Sequence, residues 1–208
     1  MRPRSSSSAL VTAARRAGVV DERVLAALAA VPREPFLQVQ DRARAGEDRP
    51  FPTSDGQTTS QPSLIATMLA SLELDGTERV LDVGTGPGYQ AALLAHLARE
   101  VHGLEVVPQL ASLARENLTG LGLEVTVHVG DGWAGLPHLA PFDAIVVAAA
   151  AAEVPLELGA QLADGGRLLV PLGGVGGQEL VLYRRDGDEL REQRRLLPVR
   201  FVPFVRPP

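Results

Sequence analysis

The stretch LDVGTGPGYQAA, residues 81–92, decides the fold of this chain. Apolar residues typical of a buried strand come first, three glycines follow at alternate positions, and the stretch then continues into a helical pattern. Because glycine has no Cβ, Gly84, Gly86 and Gly88 allow the backbone to turn sharply and to approach a ligand closely. The free amides of the following helix would point at an anionic group of that ligand. The stretch therefore predicts a strand, a ligand-binding loop and a helix.

Strands and helices alternate on the carboxyl-terminal side of this stretch. Short apolar runs predict strands at residues 79–84, 100–106, 124–130, 144–150 and 167–173, and helical spacing predicts helices at 88–99, 108–120 and 155–163. Such alternation is typical of a parallel sheet covered by helices on both faces. We therefore predict an α/β fold with a doubly wound, mostly parallel sheet. Residues 176–208 are predicted to be antiparallel strands, joined by the turn DGDE at 186–189.

The residues before this sheet are predicted to be helices and loops. Periodic apolar residues predict helices at 9–17, 21–31 and 62–74, and the stretch 32–60, rich in Pro, Arg, Asp and Gly, is predicted to be mostly loop. We expect residues 1–8, which include the run SSSS, to be a disordered tail. Residues 9–208 are expected to form one domain, made of a substrate-side segment (9–75), a cofactor-binding core (76–175) and the C-terminal strands (176–208).

The composition limits the possible classes of function. The 208 residues carry a formal net charge of −5, so there is no basic field for nucleic acid, whose binding depends on neutralising phosphates. There is no cysteine, and all 20 basic residues are arginine, which excludes thiolate chemistry and a Schiff-base lysine. No apolar run approaches the roughly 20 residues that a membrane span needs. We expect a cytoplasmic monomer that binds neither nucleic acid nor membrane.

The spacing of the glycines separates two classes of cofactor. The dinucleotide fingerprint G-x-G-x-x-G would need its third glycine at Tyr89, so a nicotinamide-dependent dehydrogenase is a distant alternative. The observed spacing is G-x-G-x-G after Asp82, and it resembles the first motif of class I methyltransferases, which bind S-adenosylmethionine. An acid here would repel a pyrophosphate, but it suits a cofactor with a sulfonium and an ammonium group. We therefore expect a Rossmann-like class I methyltransferase fold with S-adenosylmethionine as its cofactor.

Two more acidic residues fall at predicted strand ends. Glu105 closes the second strand of the core, where a carboxylate can accept hydrogen bonds from both ribose hydroxyls. Asp131 follows the third strand within GDG, where an acid can bind the adenine amino group. The predicted cofactor site in the core consists of Asp82, Gly84, Thr85, Gly86, Gly88, Glu105, Val106, Asp131 and Gly132.

Several segments resemble the protein-L-isoaspartate O-methyltransferase family in order and spacing. They are VPREPF (31–36), GQTTSQP (56–62), VLDVGTGPGYQAALLA (80–95), GDG (130–132), PFDAIVV (141–147), DGGRLLVPLG (164–173) and PVRFVP (198–203). GQTTSQP and PVRFVP are the specific signals, since methyltransferases in general share only the glycine loop and the acids. The resemblance implies methylation of the α-carboxylate of L-isoaspartyl residues in damaged proteins and peptides, which initiates repair through a succinimide.

The resemblance also implies roles for individual residues of these two segments. The hydroxyl that faces the transferring methyl group in the family corresponds to Ser60, which we take as the catalytic residue. Gln57, Thr58 and Thr59, together with Ser60, would line the cofactor site. Arg200, within PVRFVP, would support the peptide site.

Three departures from the family pattern leave alternatives open on the substrate side. Ser63 stands where an aromatic residue or His is common, and Ala148 and Ala152 stand where Thr or Gly and Pro are usual. One alternative is therefore the methylation of a normal aspartate side chain in a dedicated precursor peptide, which would form an aspartimide. Another is a nonenzymatic protein that senses the cofactor.

The remaining candidate residues are assigned structural roles. Trp133, beside GDG, is predicted to belong to the core rather than to stack on adenine. No metal site is predicted, because the spacing of metal ligands is absent from His96, His102, His128 and His138.

Overall fold

The structure, a computed structural model, describes residues 5–53, 56–174 and 176–206. Within these residues the helices are α1 (Ser5–Arg16), α2 (Glu22–Ala30), α3 (Pro62–Ser71), α4 (Tyr89–Leu94), α5 (Pro108–Gly120) and α6 (Leu156–Gly159). The strands are β1 (Phe51–Pro52), β2 (Thr58–Thr59), β3 (Arg79–Val83), β4 (Glu100–Glu105), β5 (Thr126–Val129), β6 (Phe142–Val147), β7 (Leu162–Gly174), β8 (Gly177–Asp186) and β9 (Glu189–Val199).

The main sheet confirms the predicted α/β architecture. Its seven strands follow the order β5-β4-β3-β6-β7-β8-β9. The first five strands in this order are parallel, and β8 and β9 form an antiparallel edge. The strand order reverses at β3, which has β4 on one side and β6 on the other. Ligands of such sheets bind at the carboxyl ends of the strands near this reversal. The glycine loop, residues 84–88, leaves β3 at that place.

The side chains of the central strands alternate between two hydrophobic cores. Val80 and Val146 pack on one face, together with residues from α1 to α5. Leu81 and Ile145 pack on the other face, in a core that includes Trp133. Burial of both faces explains why these strands are almost continuously apolar in sequence. Trp133 belongs to the core, as predicted.

Helix α1 begins earlier than the sequence predicted. The expected disordered tail over residues 1–8 is wrong for residues 5–8, which are helical, while residues 1–4 lie outside the described part of the chain. The Ser6 hydroxyl donates a hydrogen bond to Glu34 Oε1 (2.9 Å), and Ser7 is buried. Contacts with the segment after α2 therefore order the serine run.

Helices α4 and α6 are shorter than predicted, and β7 begins earlier. After Leu94 the amides of His96 and Leu97 bond to carbonyls three residues back, a tighter turn that ends α4. Shortly after α6, the carbonyl of Gln161 accepts a hydrogen bond from the amide of Phe142 in β6. From Leu162 onward β7 pairs with β6. A local tightening of the helix thus ends α4, and tertiary pairing with β6 sets the start of β7. Apolar spacing shows neither.

Between α2 and α3 the predicted loop contains short ordered elements. It forms two 3₁₀ turns, Glu34–Phe36 and Val39–Arg44, and the antiparallel pair of β1 and β2. Phe51 of β1 lies opposite Thr59 of β2 and is buried in a small third core. This core holds the GQTTSQP segment beside the sheet.

The C-terminal strands form the predicted hairpin. β8 and β9 pair from Asp186 and Glu189 outward, and the turn contains Gly187 with a φ of 59°. Beyond β9 the chain returns to the sheet, where the Phe204 amide donates to the carbonyl of Ala150 (2.8 Å). Across the described ranges, we find no helix with the length and apolar character needed to cross a membrane.

Candidate active site

The glycine loop exposes backbone at the carboxyl edge of the sheet. Gly84, Gly86 and Gly88 have positive φ angles of 80°, 55° and 99°, which residues with a Cβ rarely adopt. Gly86 borders open space, whereas a Cβ at Gly88 would lie 3.3 Å from Ala114 Cβ and from Leu118 Cδ1. The structure therefore places Gly84 and Gly86 at the cleft described below, and Gly88 against α5.

Asp82 lies beneath the glycine loop and does not line the cleft. Its side chain is fully buried, because position 82 precedes the last residue of β3 and is enclosed by the sheet. One carboxylate oxygen accepts a hydrogen bond from Thr85 Oγ1 (2.6 Å), and the other accepts one from Gln90 Nε2 (2.7 Å). These bonds tie the loop to α4, and they leave the Asp82 carboxylate enclosed beneath the wall of the cleft.

Burial of Asp82 makes the stability of the protein depend on pH. Desolvation raises the pKa of Asp82 from 3.8 to about 6, although the hydrogen bonds from Thr85 and Gln90 oppose this. A carboxyl with a higher pKa in the folded state stabilises the fold below its unfolded pKa, and this contribution is lost as the pH rises through the folded value. The loss at pH 7 corresponds to about 3 kcal/mol.

We expect Asp82→Asn to become more stable relative to the wild type as the pH rises from about 4 to about 7, because asparagine cannot ionise. Urea unfolding at several pH values would measure this difference in the free energy of unfolding. Asp188→Asn, in the exposed hairpin turn, serves as a control and should show no such trend. A constant difference for Asp82→Asn would contradict the expectation.

Glu105 ends β4 beside the glycine loop. Its buried carboxylate accepts hydrogen bonds from the amides of Gly86 (2.8 Å) and Val107 (3.0 Å), one at each oxygen. Each carboxylate oxygen can accept a second hydrogen bond. Glu105 is therefore held in place and is still able to receive two hydroxyl groups, as the predicted binding of a ribose requires.

The GDG segment after β5 brings Gly132 to the cleft, and Asp131 does not line it. Asp131 Oδ1 accepts a hydrogen bond from the amide of Trp133 (2.9 Å), so this carboxylate caps the turn. A Cβ at Gly132 would lie 2.5 Å from Phe204 Cε2 and 2.9 Å from Val83 Cγ1, so only glycine fits. The Trp133 ring stacks on Phe204, with ring centroids 4.6 Å apart.

A cleft at the carboxyl edge of the sheet brings these elements together, and we call it the cofactor cleft. Its wall consists of Thr53, Gln57, Thr58, Val83, Gly84, Gly86, Pro87, Leu104, Glu105, Val106, Leu110, Gly132, Ala148, Ala149 and residues 202–205. The donor set fits S-adenosylmethionine: a carboxylate for the ribose hydroxyls, apolar side chains for the base, and glycines where the backbone must come close.

Two further cavities adjoin the cofactor cleft. A small cavity beside the glycine loop is lined by Ser60, Thr85 and Gln90, among others. A long groove, which we call the outer groove, runs from α3 to the PVRFVP segment and is also lined by Ser60. Thr58 and Ala148 line the cofactor cleft, the small cavity and the outer groove alike. Ser60 therefore lies where the groove meets the cofactor side.

The hydroxyls of GQTTSQP have different surroundings. Thr59 Oγ1 faces Arg33 Nη2 (3.2 Å) and the amide of Phe51 (3.3 Å), so this hydroxyl is used inside the fold. Ser60 Oγ makes no hydrogen bond with any residue that the structure describes. Of these two hydroxyls, that of Ser60 is the one available to a ligand.

Arg33, which is 1% exposed and lies behind Ser60, is not among the site residues predicted from the sequence. An arginine in a polar stretch is normally a surface residue. The available signal was its place within VPREPF, between the apolar residues Val31 and Phe36, both of which are buried.

The three residues that depart from the family pattern line the outer groove or a cavity next to it. Ser63 lines the outer groove and accepts a hydrogen bond from Gln61 Nε2 (2.9 Å). Ala148 lies where the cofactor cleft, the small cavity and the outer groove meet, and Ala152 lines a fourth cavity next to the outer groove. Arg200 lines both the outer groove and this fourth cavity, and its guanidinium has no hydrogen bond or ion pair within the described ranges.

Known sequences match this chain over nearly its whole length. The family model described as Protein-L-isoaspartate(D-aspartate) O-methyltransferase matches residues 5–207. A protein-L-isoaspartate O-methyltransferase from Roseiflexus castenholzii is 48% identical over 191 residues, which cover 91% of this chain and 87% of the relative. One from Myxococcus xanthus is 48% identical over 197 residues, which cover 93% of each chain.

Solved structures agree with the sequence match. A protein-L-isoaspartate O-methyltransferase superposes with a TM-score of 0.86 at 30% identity, over 95% of this chain and 65% of that longer chain. A Plasmodium falciparum protein assigned to the same kind of enzyme, in complex with S-adenosyl-L-homocysteine, gives a TM-score of 0.83 at 26% identity, over 97% and 99% of the two chains. This chain belongs to the protein-L-isoaspartate(D-aspartate) O-methyltransferase family.

Proposed function

We propose that this chain transfers the methyl group of S-adenosylmethionine to the α-carboxylate of L-isoaspartyl residues, and that Ser60 positions this carboxylate. The proposal depends above all on the place of Ser60, which lines both the outer groove and the small cavity beside the glycine loop. A peptide in the groove and a cofactor in the cleft would meet at its hydroxyl.

The cofactor side is formed by residues of the loop and the strand ends. Glu105 would accept hydrogen bonds from the ribose hydroxyls, Val106 would contact the base, and Gln57 and Thr58 would close the cleft from the opposite side. Among the other predicted residues, Gly84, Thr85, Gly86 and Gly132 would shape the wall, and Asp82, Gly88, Asp131 and Thr59 would support it from behind. The bound cofactor supplies an electrophilic methyl group on a sulfonium.

The acceptor needs no general base. The α-carboxylate of an isoaspartyl residue has a pKa of roughly 3 to 4 and is already ionised at pH 7. The task of the protein is then to hold a carboxylate oxygen in line with the methyl carbon and the sulfur. The free hydroxyl of Ser60 would donate to the other oxygen and fix the orientation of the carboxylate.

The chemistry after methyl transfer is spontaneous. The methoxy group of a methyl ester leaves far more readily than an oxygen of a carboxylate. The following backbone amide nitrogen therefore attacks the ester carbonyl carbon, methanol leaves with the amide proton, and a succinimide forms. Hydrolysis of this ring returns a fraction of the substrate molecules to normal aspartate. Substrates would be damaged segments flexible enough to enter the outer groove.

Among the described residues that line the outer groove, Arg200 alone carries a charge at pH 7. We expect Arg200→Gln to raise the KM about two- to fivefold for isoaspartyl peptides with an acidic residue next to the damaged position, because an exposed ion pair is worth up to about 1 kcal/mol. The KM for neutral peptides should stay constant. Arg99→Gln, directly before β4 and outside the outer groove, is the control. Equal effects of the two variants would contradict a role for Arg200 in the groove.

The test of the proposed function is labelled methyl transfer to two peptides that differ only in one residue, isoaspartate or normal aspartate. We expect transfer to the isoaspartyl peptide, in line with the family and the relatives at 48% identity. Preference for the aspartyl peptide would instead support the aspartimide-forming alternative that Ser63, Ala148 and Ala152 leave open.

We further propose that the chain acts as a monomer in the cytoplasm and binds no nucleic acid. The net charge of −5 supports the last point. Size-exclusion chromatography with light scattering should give the monomer mass, and a dimer mass at micromolar concentration would contradict the proposal.

A further inference from the structure

Arg33 is a buried cation that holds the loop before β1. It follows α2, is 1% exposed and does not line the cofactor cleft, the small cavity or the outer groove. Its guanidinium donates through Nη1 to the carbonyl of Glu47 (2.8 Å) and through Nη2 to the carbonyl of Arg49 (2.8 Å). Arg33 can therefore act on the reaction only through other residues.

The same Nη2 group reaches the residues that hold the catalytic hydroxyl. It lies 3.2 Å from Thr59 Oγ1 and 3.2 Å from the carbonyl oxygen of Ser60, and its two N–H groups are shared among these two oxygens and the Arg49 carbonyl oxygen. Anchoring the Ser60 backbone fixes the origin and direction of its Cα–Cβ bond. The position of the Ser60 hydroxyl is therefore set by Arg33 together with the rotation about that single bond.

Arg33 also lies against the helix that continues the glycine loop. Its guanidinium carbon is 5.8 Å from the centre of the Tyr89 ring and 5.1 Å from the centre of the Phe51 ring, within the range of cation–π attraction. Tyr89 is buried and is the first residue of α4, directly after Gly88. One side chain thus contacts both the Ser60 segment and the end of the glycine loop.

The guanidinium stays charged in this position. Burial lowers the pKa of Arg33 to about 10, which leaves the group protonated at pH 7. A planar guanidinium can donate to several acceptors at once, whereas the ammonium of a lysine is a compact point charge on a flexible stem. The four acceptors around Arg33 therefore match arginine and not lysine.

We propose that Arg33 is a positioning residue that sets the Ser60 hydroxyl relative to the glycine loop. The inference rests on the role proposed above for Ser60. Because in-line transfer depends on alignment, a displacement of about 1 Å at the acceptor can cost about 100-fold in rate.

A double-mutant cycle of Arg33→Met and Ser60→Ala tests this role. The readouts are the kcat and KM for an isoaspartyl peptide and the calorimetric Kd for S-adenosylhomocysteine. Arg33→Met is expected to lower kcat about 10- to 100-fold and to leave the KM and the Kd within about threefold. The double variant should be at most about threefold slower than Ser60→Ala, because Arg33 acts through Ser60. Effects that multiply, or an unchanged kcat in Arg33→Met, would overturn the inference.

Arg79→Met is the matched control. Arg79 is partly buried, and its side chain donates to a carbonyl and a carboxylate, but it opens β3 at the end opposite to the glycine loop. Its substitution should change kcat by less than about twofold, and its effect should multiply with that of Ser60→Ala. A loss of kcat equal to that of Arg33→Met would assign the effect to general destabilisation and overturn the inference.

Arg33→Lys provides a second variant that keeps the charge and the buried stem. Its kcat should fall less than that of Arg33→Met, and its effect should show the same lack of additivity with Ser60→Ala. If circular dichroism shows that Arg33→Met is unfolded, Arg33→Lys takes its place in the cycle. An inactive wild-type chain would refute the proposed function and with it the role of Arg33. Multiplied effects in an active wild type would refute the role of Arg33 alone.

Discussion

Ser60→Ala is expected to lower kcat for methyl transfer to an isoaspartyl peptide about 10- to 100-fold. A hydrogen bond to a charged group contributes about 1.5 to 3 kcal/mol, and here it would hold the carboxylate in line with the methyl group. The Kd for S-adenosylmethionine should stay within about twofold, because Glu105 and the glycine loop form the cofactor cleft without the Ser60 side chain. Steady-state kinetics and isothermal titration calorimetry measure the two quantities.

Ser71→Ala is the control for this substitution. The Ser71 hydroxyl donates to the carbonyl of Thr67 at the end of α3, and the residue does not line the cavities around Ser60. Ser71→Ala should therefore leave kcat unchanged. Loss of transfer with retained cofactor binding in Ser60→Ala would also exclude a nonenzymatic sensor of the cofactor. A Ser60→Ala variant with the wild-type kcat would refute the positioning role.

Glu105→Gln is expected to weaken cofactor binding about 10- to 100-fold. The carboxylate accepts hydrogen bonds from the amides of Gly86 and Val107, and the ribose hydroxyls would add charge-assisted bonds to the same oxygens. An amide in its place turns one of these acceptors into a donor that faces a backbone N–H. The loss should be seen in the Kd for S-adenosylmethionine and for S-adenosylhomocysteine, measured by calorimetry.

Glu116→Gln offers a matched comparison, because Glu116 is exposed on α5 and outside the cofactor cleft. It should bind both compounds like the wild type. The kcat of Glu105→Gln at saturating cofactor should fall less than its affinity, since Glu105 is on the cofactor side. A Kd for Glu105→Gln equal to that of the wild type would show that the ribose binds elsewhere.

The sequence predicted the parts of the fold and the site that depend on local pattern. Apolar runs and glycine spacing identified the parallel strands and the loop after β3, whereas the strand order that places this loop at the reversal comes from the structure. Glu105 was found because a strand end in such a sheet has a known position, and the structure places its carboxylate beside Gly86. Family resemblance, and not spacing, drew attention to Ser60.

Three of the cofactor residues predicted within the core lie behind the cleft, because sequence position does not give side-chain direction. Asp82 is enclosed by Thr85 and Gln90, Gly88 packs on α5, and Asp131 caps its own turn. All three keep the neighbouring wall of the cleft in shape.

Arg33 is a functional candidate that the sequence did not indicate. In the structure it is a buried group with several carbonyl partners. Such contacts join segments that are distant in sequence, so no local pattern records them.

The most direct measurement is a time course of an isoaspartyl peptide incubated with the chain and S-adenosylmethionine, followed by chromatography and mass spectrometry. We expect a methyl ester to form first, a succinimide to follow as the ester declines, and the peptide with normal aspartate to accumulate last. A control without cofactor should form no methyl ester, and it should form the succinimide and the normal aspartyl peptide far more slowly. Absence of the ester on the isoaspartyl peptide, or its formation on the matched aspartyl peptide instead, would contradict the proposed function.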